Sequence, residues 1–273
     1  MLKYLLISIS SLFLITSCAS KFKKSDGQNL KAIGHRGAAG YAPENTLPAF
    51  SVAKQLGVKD VELDVQLSAD DEVILFHDVT LDTKTNRKGT VGEFKTKDLL
   101  KTEIGEWFDK THPDIEKKYK GTYLTTLDQV FKDFGRDFYF HVELKSEQDK
   151  LPEAVLKKLG THNQLANTTI TSFYLNQLIK TRALNAQIPI CYLVKGDSEE
   201  QIATEIKKAK ENGFTEVAVN AEKIEKSHVK LAQKNGLRIR GWGIKKRSDF
   251  DRLRGFNVYG TTLDWPDWVK PNQ

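Results

Sequence analysis

The chain has only two cysteines in 273 residues, Cys18 and Cys191, which excludes the disulfide framework that staples small secreted domains. It has no uninterrupted tract of the roughly 20 apolar residues that a mature membrane-spanning helix needs. Charge of one sign is nowhere concentrated. The 42 Lys and Arg interleave with 36 Asp and Glu, and the longest basic cluster is Lys245-Lys246-Arg247, so there is no nucleic-acid footprint. The net charge of +6 is mild; it favours anionic ligands but describes an ordinary solvated surface equally well. No internal repeat and no low-complexity tract is present, which sets aside solenoids and linker arrays.

What is present begins with a leader. Lys3 is followed by an apolar stretch from Tyr4 to Ile15, broken only by serines and too short to span a bilayer, so residues 1–17 read as a signal peptide. Thr16 and Ser17 directly before Cys18 resemble the lipobox of bacterial lipoproteins, which implies cleavage before Cys18 and its lipidation; an ordinary signal peptide with a chance cysteine is the plainer reading. The expectation is an exported, membrane-anchored lipoprotein, periplasmic or on the cell surface, with residues 18–30 as lipidated Cys and tether. Cys191, in the apolar run Ile188 to Val194, then lacks a partner and reads as a small hydrophobe.

The remaining chain, residues 31–273, is long enough for one large core. Strand-like runs at 31–35, 60–67, 138–145, 167–172, 188–194, 215–219, 237–242 and 257–263 alternate with helical patterns near 46–56, 125–134, 152–159, 174–184, 198–212, 222–235 and 247–253. Gly57, Gly160, Gly213, Gly236 and Gly255 follow helical stretches, where left-handed caps are wanted. Eight strands alternating with helices predict a (β/α)₈ barrel, with a doubly wound sheet as the alternative. Val73 to Phe76 reads as an extra short strand. The segment 79–124 is too long for a strand-to-helix loop and reads as an insertion over the mouth or a small subdomain.

Chemistry concentrates at strand ends. In Val61-Glu62-Leu63-Asp64-Val65-Gln66-Leu67, side chains alternate, so Glu62 and Asp64 share one face about 7 Å apart along the strand. Two buried anions need a positive partner, and a divalent cation supplies one. A half-exposed antiparallel strand with a solvated polar face is the competing explanation. A second strand, Phe140 to Lys145, aligns His141, Glu143 and Lys145. Three hard oxygen ligands without cysteine suggest one divalent cation, Ca²⁺ or Mg²⁺, whereas Glu143 and Lys145 could equally be an internal ion pair. His141, one layer deeper, is expected to be a hydrogen-bonded core histidine. Gly34-His35-Arg36-Gly37 closes the first strand, where the glycines permit a sharp turn, His35 can exchange a proton and Arg36 matches phosphate oxygens. His77, in Phe76-His77-Asp78, follows an apolar strand and could complete an acid and base pair across one bond.

The ordered set His35-Arg36-Gly37, Pro43-Glu44-Asn45-Thr46 with Ala49-Phe50, Glu62-Leu63-Asp64, His77-Asp78 and Glu143-Leu144-Lys145 resembles the glycerophosphodiester phosphodiesterase family. The likeness continues through Trp107-Phe108, Ser172-Phe173 and Trp242 to Asp264 and Pro266. The resemblance implies a TIM barrel with an inserted segment after the second barrel strand. It also implies metal-dependent hydrolysis of glycerophosphodiesters to glycerol 3-phosphate and an alcohol. Under it, His35 and His77 would be general acid and base; Glu62, Asp64 and Glu143 the metal ligands; Arg36 and Lys145 the phosphate clamp. Glu44 and Asn45 would help at the metal or order the loop, and Trp242 would form an apolar wall. The chain departs from the pattern at Asp70-Asp71-Glu72, at Thr83 where Arg is usual, at Thr125 where Pro is usual, and around Gly241-Trp242-Gly243-Ile244. Rival readings are a lysophospholipase D or phospholipase-like diesterase, a phospho-ligand-binding lipoprotein without turnover, and a carboxylate-pair glycosidase.

Overall fold

The structure, a computed structural model, describes residues 30–269. The expected leader (1–17), Cys18 and all of the expected tether except Leu30 lie outside the described residues.

Among the described residues, nine strands and nine α-helices follow in chain order. The strands are β1 (Lys31–Gly34), β2 (Asp60–Leu67), β3 (Val73–Leu75), β4 (Tyr139–Leu144), β5 (Thr168–Ser172), β6 (Ile190–Val194), β7 (Glu216–Asn220), β8 (Arg238–Trp242) and β9 (Gly260–Leu263). The helices are α1 (Leu47–Gln55), α2 (Thr96–Leu99), α3 (Gly105–Thr111), α4 (Leu127–Phe134), α5 (Leu151–Thr161), α6 (Leu175–Leu184), α7 (Glu199–Glu211), α8 (Lys226–Lys234) and α9 (Arg247–Arg254). Eight strands run parallel, and β1 pairs with both β2 and β9, which closes the ring. This is the expected (β/α)₈ barrel; closure removes the edges a doubly wound sheet would leave.

Strand β2 settles its own ambiguity. It lies between β1 and β4, parallel to both, and all eight of its residues are buried. Val61, Leu63 and Val65 share one core with Phe50, Leu127 and Val130 of the surrounding helices. Glu62 and Asp64 therefore point into the barrel interior rather than to solvent.

Strand β2 overshoots the ring, and β3 pairs with its end antiparallel, from Leu67↔Val73 to Val65↔Leu75. The chain returns toward the mouth, where Phe76 N–H donates to Asp64 O at 3.1 Å. The residues after β3 then reach the level of Asp64. The insertion that follows has its own apolar cluster of Ile74, Phe76, Leu81, Val91, Leu99, Ile104 and Leu124. Phe108 and Tyr119 meet Ala42 and Ala49 from the β1–α1 region, so the segment is docked on the barrel.

Three local expectations are corrected. Gly57, Gly213 and Gly236 take the left-handed conformation, but Gly160 lies inside α5 and Gly255 has φ −71°, and Asn163 and Asn257 occupy the left-handed positions instead. Helix α8 starts at Lys226 rather than 222, because a 3₁₀ turn at Ala221–Lys223 leads to a capping box between Glu225 and His228. Strand β9 starts only at Gly260, after Asn257 with φ 62°. Where Thr125 departs from the usual Pro, Thr126 caps α4 by accepting from Gln129 N.

Candidate active site

The first loop is shaped by close backbone approach. A Cβ on Gly34 would lie 2.2 Å from Gly37 O, and Gly37 has φ 89° with Ala49 backbone 2.8 Å from where a Cβ would stand. Within this turn Arg36 (φ 51°) and, further on, Asn45 (φ 57°) also hold left-handed backbone, a strain that clusters at functional sites. The turn aims Arg36 N–H at Glu62 Oε2, 3.0 Å away, and places His35 at the mouth.

The three carboxylates converge. Glu62, Asp64 and Glu143 are buried, and one oxygen from each lies within 4.8 Å of the others. The register pairs Asp64 directly with Glu143 across β2 and β4. Glu62 Oε1 and Asp64 Oδ1 have no hydrogen-bond partner among the described residues. Burial, together with Asp64 and Glu143, pushes the Glu62 carboxyl well above the usual carboxylate range. Glu143 is raised by burial and by Asp64. Asp64 is held low despite burial, because Arg36 and Lys145 flank it. An all-oxygen, strongly anionic set with orphan buried oxygens fits a hard divalent cation.

The cations nearby have distinct duties. Lys145 Nζ is 2.9 Å from Glu143 Oε1 and 3.8 Å from Asp64 Oδ1, and lines the cavity. Arg36 lines it too, but its Nη1 donates to Glu44 Oε2 at 2.9 Å and its Nε stands 3.2 Å from Asp64 Oδ2. Glu44 gives its second oxygen to Lys84, 2.8 Å away, so both its oxygens are held by cations. Asn45 donates to Asp64 Oδ2 at 2.8 Å and accepts from Asp64 N at 3.0 Å. Glu44 and Asn45 thus order the loop and Asp64; neither joins the carboxylate trio. A second group, Glu44, His77 and Asp78, also draws close, but Lys84 Nζ stands on Glu44 and on Asp78 Oδ1 (3.1 Å) and is already its cation.

Each imidazole is anchored on one side. His35 Nδ1 is 2.6 Å from Asp264 Oδ1, and His77 Nδ1 is 2.6 Å from Asp78 Oδ1. A carboxylate only accepts, so each Nδ1 carries the proton and Nε2 is left free for a ligand. His35 Nε2 lies 4.0 Å from Glu62 Oε2. Asp78 stays low against its partial burial through His77 and Lys84, and Asp264 through His35. His141 is fully buried, with Nε2 3.4 Å from Asp60 Oδ1, and burial and Arg240 disfavour its charged form; it stands in the core, as expected. Cys191 is buried, and burial pushes its thiol up.

His35, Arg36, Glu62, His77, Glu143 and Lys145 line one cavity of about 220 Å³ at the C-terminal mouth of the barrel, the end where barrel enzymes place their chemistry. Trp242, edge-on to Phe173 with ring centroids 5.3 Å apart, forms its apolar wall. Asp78 and Asp264 stand in the sequence motifs, but their hold on the imidazoles, like that of Lys84 on Glu44 and Asp78, emerges only in the fold. A His-Asp dipeptide and an inward Asp at the end of the last strand are signals that could have found the first two. Strand alternation likewise puts Arg238, Arg240 and Trp242 on one face of β8.

Residues 35–268 match the glycerophosphoryl diester phosphodiesterase family. A glycerophosphodiester phosphodiesterase of Bacillus subtilis is 29% identical over 270 residues, covering 93% of this chain and 91% of that protein. The crystal structure of a glycerophosphodiester phosphodiesterase from Agrobacterium tumefaciens superposes with TM-score 0.74 at 24% identity, covering 88% of this chain and 99% of that one. An Oleispira antarctica phosphodiesterase, solved with the product sn-glycerol-3-phosphate, gives TM-score 0.78 at 23% identity, over 88% and 94% of the two chains. With the family's pattern matched from His35 to beyond the last barrel strand, the chain belongs to the glycerophosphoryl diester phosphodiesterase family and is a hydrolase of phosphodiester bonds.

Proposed function

We propose that the protein hydrolyses glycerophosphodiesters to glycerol 3-phosphate and a free alcohol, with Glu62, Asp64 and Glu143 holding one divalent cation, Ca²⁺ or Mg²⁺, and with His35 and His77 as the proton-transfer pair. The observation that carries the reading is that two imidazoles, each tied at Nδ1 to its own aspartate, border one cavity with Glu62 and Glu143, whose carboxylates converge with that of Asp64.

A phosphodiester anion repels a nucleophile until its charge is neutralised. A bound cation would supply that neutralisation as a Lewis acid on a non-bridging oxygen. Lys145 reaches the cavity from the β4 end and adds a point charge. Arg36, fixed by Glu44 and Asp64, offers a rigid edge rather than a swinging arm, so its role combines loop order with phosphate contact. Asp264 and Asp78 fix the tautomer, so each Nε2 is the atom that takes or gives the proton. One imidazole removes a proton from the attacking hydroxyl, and the other returns one to the departing oxygen.

The product found in the Oleispira antarctica enzyme, sn-glycerol-3-phosphate, supports the same product here. Assays on glycerophosphocholine and other glycerophosphodiesters, with EDTA and then added Ca²⁺ or Mg²⁺, test the reading. Glycerol 3-phosphate that disappears with chelator and returns with metal supports it; lysophosphatidic acid or a cyclic phosphate as the sole product would replace it with the lipid-directed rival.

We infer, further, an exported chain anchored to the membrane through a lipid on Cys18. Thr16-Ser17-Cys18 after the apolar leader supports it.

A further inference from the structure

The chemistry above leaves a buried charge beneath it unused. Arg240 on β8 is 1% exposed and lines the same cavity as the imidazoles. Its Nε stands 2.7 Å from Glu216 Oε1, while Arg238 takes the other oxygen at 3.1 Å, so one carboxylate is divided between two guanidiniums. Arg240 Nη2 has no hydrogen-bond partner among the described residues. In register, Arg240 is flanked by the small residues Ala218 on β7 and Gly260 on β9. On β5, Thr171 is fully buried, lines the cavity, and its Oγ1 is likewise without a hydrogen-bond partner.

Buried polar groups are almost always paired, so Arg240 Nη2 and Thr171 Oγ1, orphans on two strands of a cavity that also holds the unpaired Glu62 Oε1 and Trp242 Nε1, call for a ligand with oxygens to offer. A guanidinium only donates, and therefore takes oxygen lone pairs; a threonine hydroxyl both donates and accepts. A vicinal diol answers both. The cavity, at about 220 Å³, is smaller than sites for drug-sized ligands and admits one small half of a diester.

We propose that Arg240 and Thr171 form a hydroxyl-reading subsite that recognises the glycerol half of the substrate, so that the leaving alcohol faces the open mouth. The proposal rests on the glycerophosphodiester reading above and assigns its specificity to two residues outside the carboxylate and imidazole set.

The test compares kcat/KM for glycerophosphocholine with that for bis(p-nitrophenyl) phosphate, a diester without glycerol, in the metal-loaded full chain. Thr171→Val keeps the shape and removes the hydroxyl. Arg240→Met is paired with Glu216→Gln so that no carboxylate is left with a missing partner. Each variant is expected to lower the ratio of the two values by about tenfold or more, mainly through KM for glycerophosphocholine, and to weaken product inhibition by glycerol 3-phosphate more than by inorganic phosphate. A ratio that stays constant in Thr171→Val, whether both activities fall or neither does, overturns the proposal, and it decides the matter alone if the arginine variant does not fold. Wild-type protein that turns over bis(p-nitrophenyl) phosphate but no glycerophosphodiester would instead sink the parent reading.

Discussion

At the scale of single residues, the site works by fixing groups that would otherwise move. His35 and His77 each present one nitrogen because an aspartate holds the other. His35→Ala or His77→Ala is expected to reduce turnover by about a hundredfold or more while the melting temperature stays near that of the wild type; near wild-type rates in either variant would remove it from the mechanism. Asp264→Asn keeps the side-chain volume but can present an N–H to His35, so it favours the wrong tautomer. Turnover should fall by about tenfold or more, with KM less affected. Lys84, neutralised as Lys84→Met, would leave Glu44 and Asp78 without their shared cation; activity measured against Lys84→Arg, which retains the charge, separates electrostatics from packing.

At the scale of elements, the strands deliver and the loops aim. The alternation in β2 and β4 was readable from sequence, because Glu62, Asp64 and Glu143 interrupt runs that a buried parallel strand otherwise keeps apolar. The register that sets Asp64 against Glu143 was not, since nothing in either strand alone fixes the stagger. Nor was the antiparallel return of β3, which delivers His77 to the level of Asp64. Gly34 carries the turn before His35, and Gly34→Ala would force its new methyl against Gly37 O. A loss of about 1–3 kcal/mol in chemical denaturation, with impaired turnover, is expected. Outside the barrel, Asp128 on α4 binds Lys158 and His162 on and after α5. Despite partial burial, those two partners hold its carboxyl below the usual value of 3.8. A lowered acid stabilises the fold above its unfolded pKa, and the gain is lost as pH falls through the folded one. The stability gap between wild type and Asp128→Asn should therefore be present at neutral pH and narrow below about pH 4; a gap that widens in acid would contradict the assignment.

At the scale of the whole molecule, a closed barrel brings residues from opposite ends of the sequence to one mouth, as with His35 and Asp264. The eight-strand rhythm was legible because each strand is a compact apolar run between helical periods. Partners such as Lys84 were not, because the insertion has no period to announce which side chains face the barrel. No helix among the described residues is long and apolar enough to cross a membrane. Fatty-acid labelling of the expressed chain should mark the wild type and fail on Cys18→Ala, which should also leave the membrane fraction; an unlabelled wild type would end the anchor reading.

The central claim is that Glu62, Asp64 and Glu143 share one cation. Calorimetric titration of the chelator-stripped protein with Ca²⁺ and with Mg²⁺ addresses it without relying on turnover. One saturable site is expected in the wild type, weakened by about tenfold or more in Glu62→Gln, Asp64→Asn and Glu143→Gln alike. Equal binding in the wild type and all three variants, or none in the wild type, would contradict it.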